Sequence, residues 1–169
     1  ITSAAVVLAV GARPSGQASS ATLTSRCTSA SRPRVESGLP ESAMSGTPYS
    51  IRYAGDQLTE SVVVFNGDVL TQVDLRAVLA LHRERKAKAT IVLTPVENPR
   101  AYGLVETDAQ GNIQRFLEKP GEDEITCNTI NAGIYILEPD TFDRIPKETA
   151  WSIERSFFPS LIERGETFV

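Results

Sequence analysis

The sequence has one histidine, His82, two cysteines, Cys27 and Cys127, and no long apolar run. Each scarcity closes off a class of chemistry. A single His with no nucleophile motif beside it argues against a Ser-His-Asp hydrolase. Its place in a helical stretch predicts a solvated or half-buried side chain. The cysteines lie far apart and match no metal-ligand spacing, so they read as free thiols in a reducing, cytoplasmic compartment. About 20 consecutive apolar residues are needed to span a bilayer as a helix, and none are found, so no membrane partner is expected. The balance of 17 basic against 21 acidic residues, net charge -4, offers no broad basic surface to nucleic acid. At 169 residues the chain has the length of one domain and can bury a sizeable core.

The chain begins with Ile1 and stops at Val169, within Thr167-Phe168-Val169, which reads as the start of a strand. Both ends look cut, and the expectation is a piece of a longer polypeptide. Ala4 to Val10 is a short apolar run before Gly11, long enough for a buried strand and without the basic leader of a signal peptide. From about Arg13 to Ser50 about a quarter of the residues are Ser, and apolar residues show no periodicity. Such a composition does not offset its own ordering entropy. A natural disordered insert or a compensated frameshift would each produce it. The division is therefore an N-terminal strand with an irregular segment over 1–50 and an ordered core over 51–169.

Order resumes at Ile51. Val62-Val63-Val64-Phe65 reads as a strand buried on both faces, and it stops abruptly at Asn66-Gly67-Asp68. An Asp at the carboxyl end of a central strand lies where open α/β sheets place ligands, and a carboxylate there suits a hard cation such as Mg2+. The alternative is a turn in which Asp68 only caps the next helix. Asp74 reads as an N-cap, and Leu75, Val78, Leu79 and His82 recur at helical spacing. Ala89 to Val96 is a second buried-type strand, which completes a βαβ unit. Tyr102 to Glu106 and Ile113 to Leu117 form a hairpin around Gly111-Asn112, and Asn131 to Leu137 is a further strand. A short helix from Asp140 ends at Pro146. Ser152 caps a last helix in which Pro159 breaks or restarts the turn.

Four clusters follow in order: Asn66-Gly67-Asp68, Pro99-Arg100-Ala101-Tyr102-Gly103, Phe116-Leu117-Glu118-Lys119-Pro120, and Asn131-Ala132-Gly133-Ile134-Tyr135. From Ile51 to Val169 the chain resembles the sugar-phosphate nucleotidyltransferases. It looks most like the mannose-1-phosphate guanylyltransferases, through Asn128 to Tyr135 and Ser152-Ile153-Glu154-Arg155-Ser156-Phe157-Phe158-Pro159. The resemblance implies a Rossmann-like, three-layer α/β fold with a mostly parallel central sheet, incomplete at both ends. It implies an enzyme of nucleotide-sugar synthesis: a sugar 1-phosphate attacks the α-phosphorus of a nucleoside triphosphate, GTP by this likeness, and pyrophosphate leaves. Such chemistry is mostly positioning and charge neutralisation.

By the same likeness Asp68 is a Mg2+ ligand and, with Lys119, carries catalysis. Substrate would be bound by Asn66, Gly67, Tyr102, Gly103, Glu118, Lys119 and Asn131. Gly103 offers a bare backbone amide to a sugar hydroxyl, Glu118 and Asn131 hydrogen-bond the sugar, and Lys119 pairs with its phosphate. Blander readings stand beside these: a solvated strand end before Pro120, a tight hairpin entry at Tyr102-Gly103, and a small-residue strand start at Asn131.

The family's Gly-rich triphosphate loop, G-x-G-x-R-x-x-P, does not occur; Gly11-Ala12-Arg13-Pro14 is not it. Gly46-Thr47-Pro48-Tyr49 is a trace of the region that holds the base. The second metal-binding Asp of the family falls beyond Val169. The isolated chain is therefore expected to be inactive. Two other readings remain: a non-catalytic sugar-phosphate-binding regulatory module, and a metal-dependent glycosyltransferase, against which the Glu118-Lys119-Pro120 and Asn131-Ala132-Gly133 clusters speak. Oligomeric state is not legible.

Overall fold

A computed structural model describes residues 5–9, 51, 58–66, 71–99, 102–118, 120–146 and 151–169, without the side chains of 5–9, Glu118 and Glu122. The six described strands are β1 (Ala5–Ala9), β2 (Val62–Asn66), β3 (Ala89–Pro95), β4 (Gly103–Thr107), β5 (Ile113–Glu118) and β6 (Thr129–Leu137). Helix α1 spans Leu75–Glu84 and helix α2 spans Phe158–Glu163.

The spine of the sheet is β6. Ile136 pairs with Val63 of β2 on one edge and Thr90 of β3 on the other. Further back along the strand, Ile130 pairs with Thr94 of β3 and Leu104 of β4. Strand β3 thus follows one edge of β6, while β2 and then β4 share the other. β1 extends the sheet beyond β2, and β5 closes a hairpin on β4.

Successive residues of the buried strands feed opposite faces, as the pleat requires. Val62, Val64, Tyr135 and Leu137 join one core with Phe142, Phe157, Phe158, Leu161 and Phe168. Val63, Ile134 and Ile136 join a second with Leu79, against which Val78 and Leu75 of α1 pack. The result is the expected three-layer α/β arrangement. The rings of Phe116, Tyr135, Phe157 and Phe168 surround Phe158, with centroids 4.9–5.5 Å from it.

The expectation of a mostly parallel sheet is corrected. Every pairing between the described strands is antiparallel. β2 and β3 do run in the same direction, as a βαβ unit demands, but β6 enters between them in the opposite sense. An unbroken apolar run reports burial on both faces and is silent about the direction of the neighbouring strand. Thr167-Phe168-Val169 runs beside β3 through a parallel bridge, Ala89 to Phe168, with Ile91 N donating to Val169 O at 2.8 Å.

The local signals act as the side chains dictate. Asp74 caps α1, its carboxylate accepting from Arg76 N at 2.9 Å and Ala77 N at 3.4 Å. In the β4–β5 turn, Gly111 takes φ +82 and Asp108 accepts from Gln110 N, Asn112 N and Asn112 Nδ2. Pro139–Arg144 forms a 3-10 turn. His82 departs from expectation. It is 2 % exposed, with Nδ1 2.8 Å from Thr90 Oγ1 and Nε2 2.9 Å from Glu138 Oε1. It is a satisfied core residue that ties α1 to β3 and to the end of β6.

Candidate functional site

A notch opens on the edge of β6 that β2 and β4 share. β2 pairs only as far back as Ile134, and β4 begins its pairing at Ile130, so among the described residues Asn131, Ala132 and Gly133 have no register partner on that edge. On the other edge the register slips by two residues here, since Ile91 faces Tyr135 but Leu93 faces Asn131. The strand bulges. Gly133 absorbs the distortion at φ +73, a conformation that side chains with a Cβ resist. Asn131 stabilises the bulge from within, its Oδ1 accepting from Gly133 N at 2.8 Å. The Asn-Ala-Gly spelling is thus a backbone device as well as a source of polar groups.

Around this notch lies a cavity of about 380 Å³. Asn66 contributes from the end of β2, Tyr102, Gly103 and Leu104 from the entry to β4, and Phe116 and Leu117 from β5. Asn131 lies on its β6 side, and Glu154, Arg155 and Pro159 close it from the last helical segment. Tyr102 is half exposed at 51 % and is held in a turn by its own amide, which donates to Pro99 O at 3.0 Å.

Glu154 is placed by an unusual turn. Ile153–Phe157 is a π-helical turn running into α2, with Phe157 N donating to Ser152 O at 3.1 Å. Ser152 caps it, Oγ accepting from Arg155 N at 3.1 Å, and Pro159 sits in the first turn of α2 where its missing N–H costs nothing. Single π turns are frequent at functional sites. Here the turn carries Glu154 to Asn131, whose Nδ2 donates to Glu154 Oε1 at 3.2 Å. Asn131 Nδ2 also donates to the Tyr135 hydroxyl at 2.7 Å. Burial pushes the Tyr135 phenol far above its usual range, with the neighbouring Glu154 charge adding to the effect, so the group is neutral at any working pH.

Four residues singled out in the sequence, Asn66, Tyr102, Gly103 and Asn131, therefore line one cavity. Gly103 is the register partner of Glu118, which puts the Glu118 backbone at the same rim; its side chain lies outside the described atoms. Gly67, Asp68 and Lys119 lie outside the described residues. Among the described residues no group of three His, Cys, Asp or Glu could hold a metal ion. Tyr135, Glu154 and Arg155 were not anticipated as site residues. Glu154 had read only as an acid at a helix start, and a β6 bulge that turns Asn131 towards it leaves no mark in periodicity. Chemically the cavity joins a carboxylate, amides and a guanidinium to apolar walls from Phe116, Leu117 and Pro159. Such a lining sets hydrogen-bond donors and acceptors beside apolar surface.

The family model for nucleotidyl transferases matches residues 22–169. The chain belongs to the nucleotidyl transferase family. A mannose-1-phosphate guanylyltransferase of Mycobacterium tuberculosis is 43% identical over 113 residues, covering 67% of this chain and 31% of that protein. A UTP–glucose-1-phosphate uridylyltransferase of Synechocystis is 40% identical over 111 residues, covering 64% of this chain and 29% of that protein. The matched stretch is thus less than a third of these relatives' length. Among solved structures, HddC from Yersinia pseudotuberculosis complexed with GMP-PN shares the fold, with TM-score 0.59 and 22% identity over 73% of this chain and 51% of that one. No described helix is long and apolar enough to cross a membrane.

Proposed function

We propose that the chain carries the sugar-phosphate-binding part of a nucleotidyltransferase that joins a nucleoside triphosphate to a sugar 1-phosphate, releasing pyrophosphate. The observation that carries this reading is the convergence of Asn66, Gly103 and Asn131 with Glu154 on one half-open cavity in a family member. The hydrogen-bonding groups on its wall suit ring hydroxyls, and the apolar faces of Phe116 and Leu117 suit the C–H face of a hexose. Mannose 1-phosphate and GTP are the preferred substrates in this reading. The most similar relatives include guanylyltransferases of mannose 1-phosphate, and the Ser152 to Pro159 stretch follows their pattern. A uridylyltransferase of glucose 1-phosphate stands nearly as close, so the sugar and base are the quantities to measure. In this reading Asp68 holds Mg2+, which would neutralise phosphate charge, and Lys119 pairs with the sugar phosphate.

The test is calorimetric titration of the chain with mannose 1-phosphate, glucose 1-phosphate, free mannose and inorganic phosphate. Saturable binding of a sugar 1-phosphate, tighter than that of free sugar or phosphate, is the expected result. Asn131→Ala should weaken it by about tenfold, the order of a lost hydrogen bond to a ligand. No sugar 1-phosphate binding would sink the reading. Binding without pyrophosphate release from added GTP would favour the regulatory module over the enzyme.

A further inference from the structure

Tyr135 lies on β6, two residues before its end, with no exposed surface, and its hydroxyl accepts from Asn131, which lines the cavity. Its ring is held against Phe158, centroids 5.2 Å apart at 56°. Two side-chain amides meet at its oxygen. Asn131 Nδ2 donates to it at 2.7 Å, and the Asn66 side chain is hydrogen-bonded to it as well. These amides come from different strands. Asn131 sits in the bulge of β6, whereas Asn66 ends β2, one residue beyond the Phe65–Ile134 pair. A planar amide rotates about a broad torsion with two opposite orientations of its oxygen and nitrogen. At Asn131 three partners define the orientation: Tyr135 and Glu154 accept from Nδ2, and Gly133 N donates to Oδ1.

We propose that Tyr135 is a positioning residue: its buried hydroxyl fixes the Asn66 and Asn131 amides together, so that two strands present one set hydrogen-bonding pattern to a sugar hydroxyl. This rests on the sugar-phosphate reading above and adds to it a residue that need not touch the ligand. Orientation set before binding lowers the ordering cost paid when the ligand arrives. The phenol is suited to the task because it is neutral, rigid and packed on a ring. Phe at this position keeps the packing and removes only the shared oxygen.

The test uses Tyr135→Phe in the whole chain with two readouts. The first needs no ligand: the side-chain NH2 signals of Asn66 and Asn131 in a 15N-resolved NMR spectrum. Both should shift, while those of Asn98, Asn112 and Asn128 hold. The second is affinity for mannose 1-phosphate, expected to fall about tenfold, roughly 1.4 kcal/mol. In an Asn66→Ala/Asn131→Ala background the same change should cost much less, because both amides it positions are gone. Unmoved Asn66 and Asn131 signals would overturn the proposal, as would an undiminished tenfold loss in the Asn66→Ala/Asn131→Ala background, which marks direct ligand contact. If the wild-type chain binds no sugar 1-phosphate, the functional reading fails and the amide signals alone decide this one. Should Tyr135→Phe fail to fold, Asn131→Ala should still shift the Asn66 signal through the shared phenol; a stationary signal there overturns it.

Discussion

Replacing Gly133 by Ala separates the backbone's role in the cavity from its role in stability. Gly133 adopts φ +73, and the left-handed region costs a residue with a Cβ about 1–2 kcal/mol. For a chain of this size about 1 kcal/mol corresponds to a shift of roughly 2–4 °C in Tm. Gly133→Ala should therefore lower Tm by about 2–8 °C. Gly111 provides the control. It sits at φ +82 in the β4–β5 turn, and an added Cβ there would meet nothing within 4 Å. Gly111→Ala should carry a similar strain and a similar fall in Tm. The two must differ in ligand binding. Relaxing the bulge at Gly133 swings its N–H away from Asn131 Oδ1 and turns the amide that faces the cavity, whereas Gly111 is remote from it. Thermal denaturation by circular dichroism and titration with mannose 1-phosphate, run on both variants, decide the matter. Equal affinities for the two, or no loss of Tm in Gly133→Ala, would refute the view that the bulge shapes the site.

Phe158→Ala removes the ring on which Phe116, Tyr135, Phe157 and Phe168 converge and should cost about 3–5 kcal/mol, read from the urea midpoint of unfolding. The Asp108 carboxyl is held below its usual range, chiefly by the Asn112 side chain and then by backbone N–H groups of the turn. A carboxyl depressed in the folded state adds stability above its unfolded pKa, about 4, and loses it as pH falls through the folded value. Asp108→Asn should accordingly flatten the acid limb of a stability profile measured from about pH 5 downwards, and an unchanged limb would count against the turn geometry.

Much of the local structure was legible because it is written in side chains that act on their immediate neighbours. Asp74 and Ser152 cap where their oxygens fall short of the next amides, and Gly111 marks a turn that needs positive φ. The buried runs at Val62 and Ala89 announced strands through composition alone. Strand direction was not legible: Val62 to Phe65 would read the same beside a parallel or an antiparallel neighbour, and the position of β6 between β2 and β3 is a tertiary choice. At the cavity, Asn66, Tyr102, Gly103 and Asn131 had been singled out by ordered clusters rather than by any periodicity. Glu154 and Tyr135 escaped because their meeting with Asn131 depends on a π turn and a bulge, two irregularities that pattern reading smooths over. His82 was misjudged for a related reason. Its partners, Thr90 and Glu138, come from two other segments, and a polar residue on a helix shows burial only through such partners.

The place of β6 also governs when the molecule can assemble. β2 and β3 are made long before the strand that pairs with both, since Val63 waits for Ile136 and Thr90 waits for the same residue. Contacts so distant in sequence close slowly, because the intervening loop must first be ordered. During synthesis the Val-rich edge of β2 and the edge of β3 thus remain open towards β6 until residues 129–137 emerge. The cavity, bounded by β6 itself and by a turn still later in the chain, forms only after both of these have joined β2. A ligand cannot template the early steps; it can only select the finished sheet.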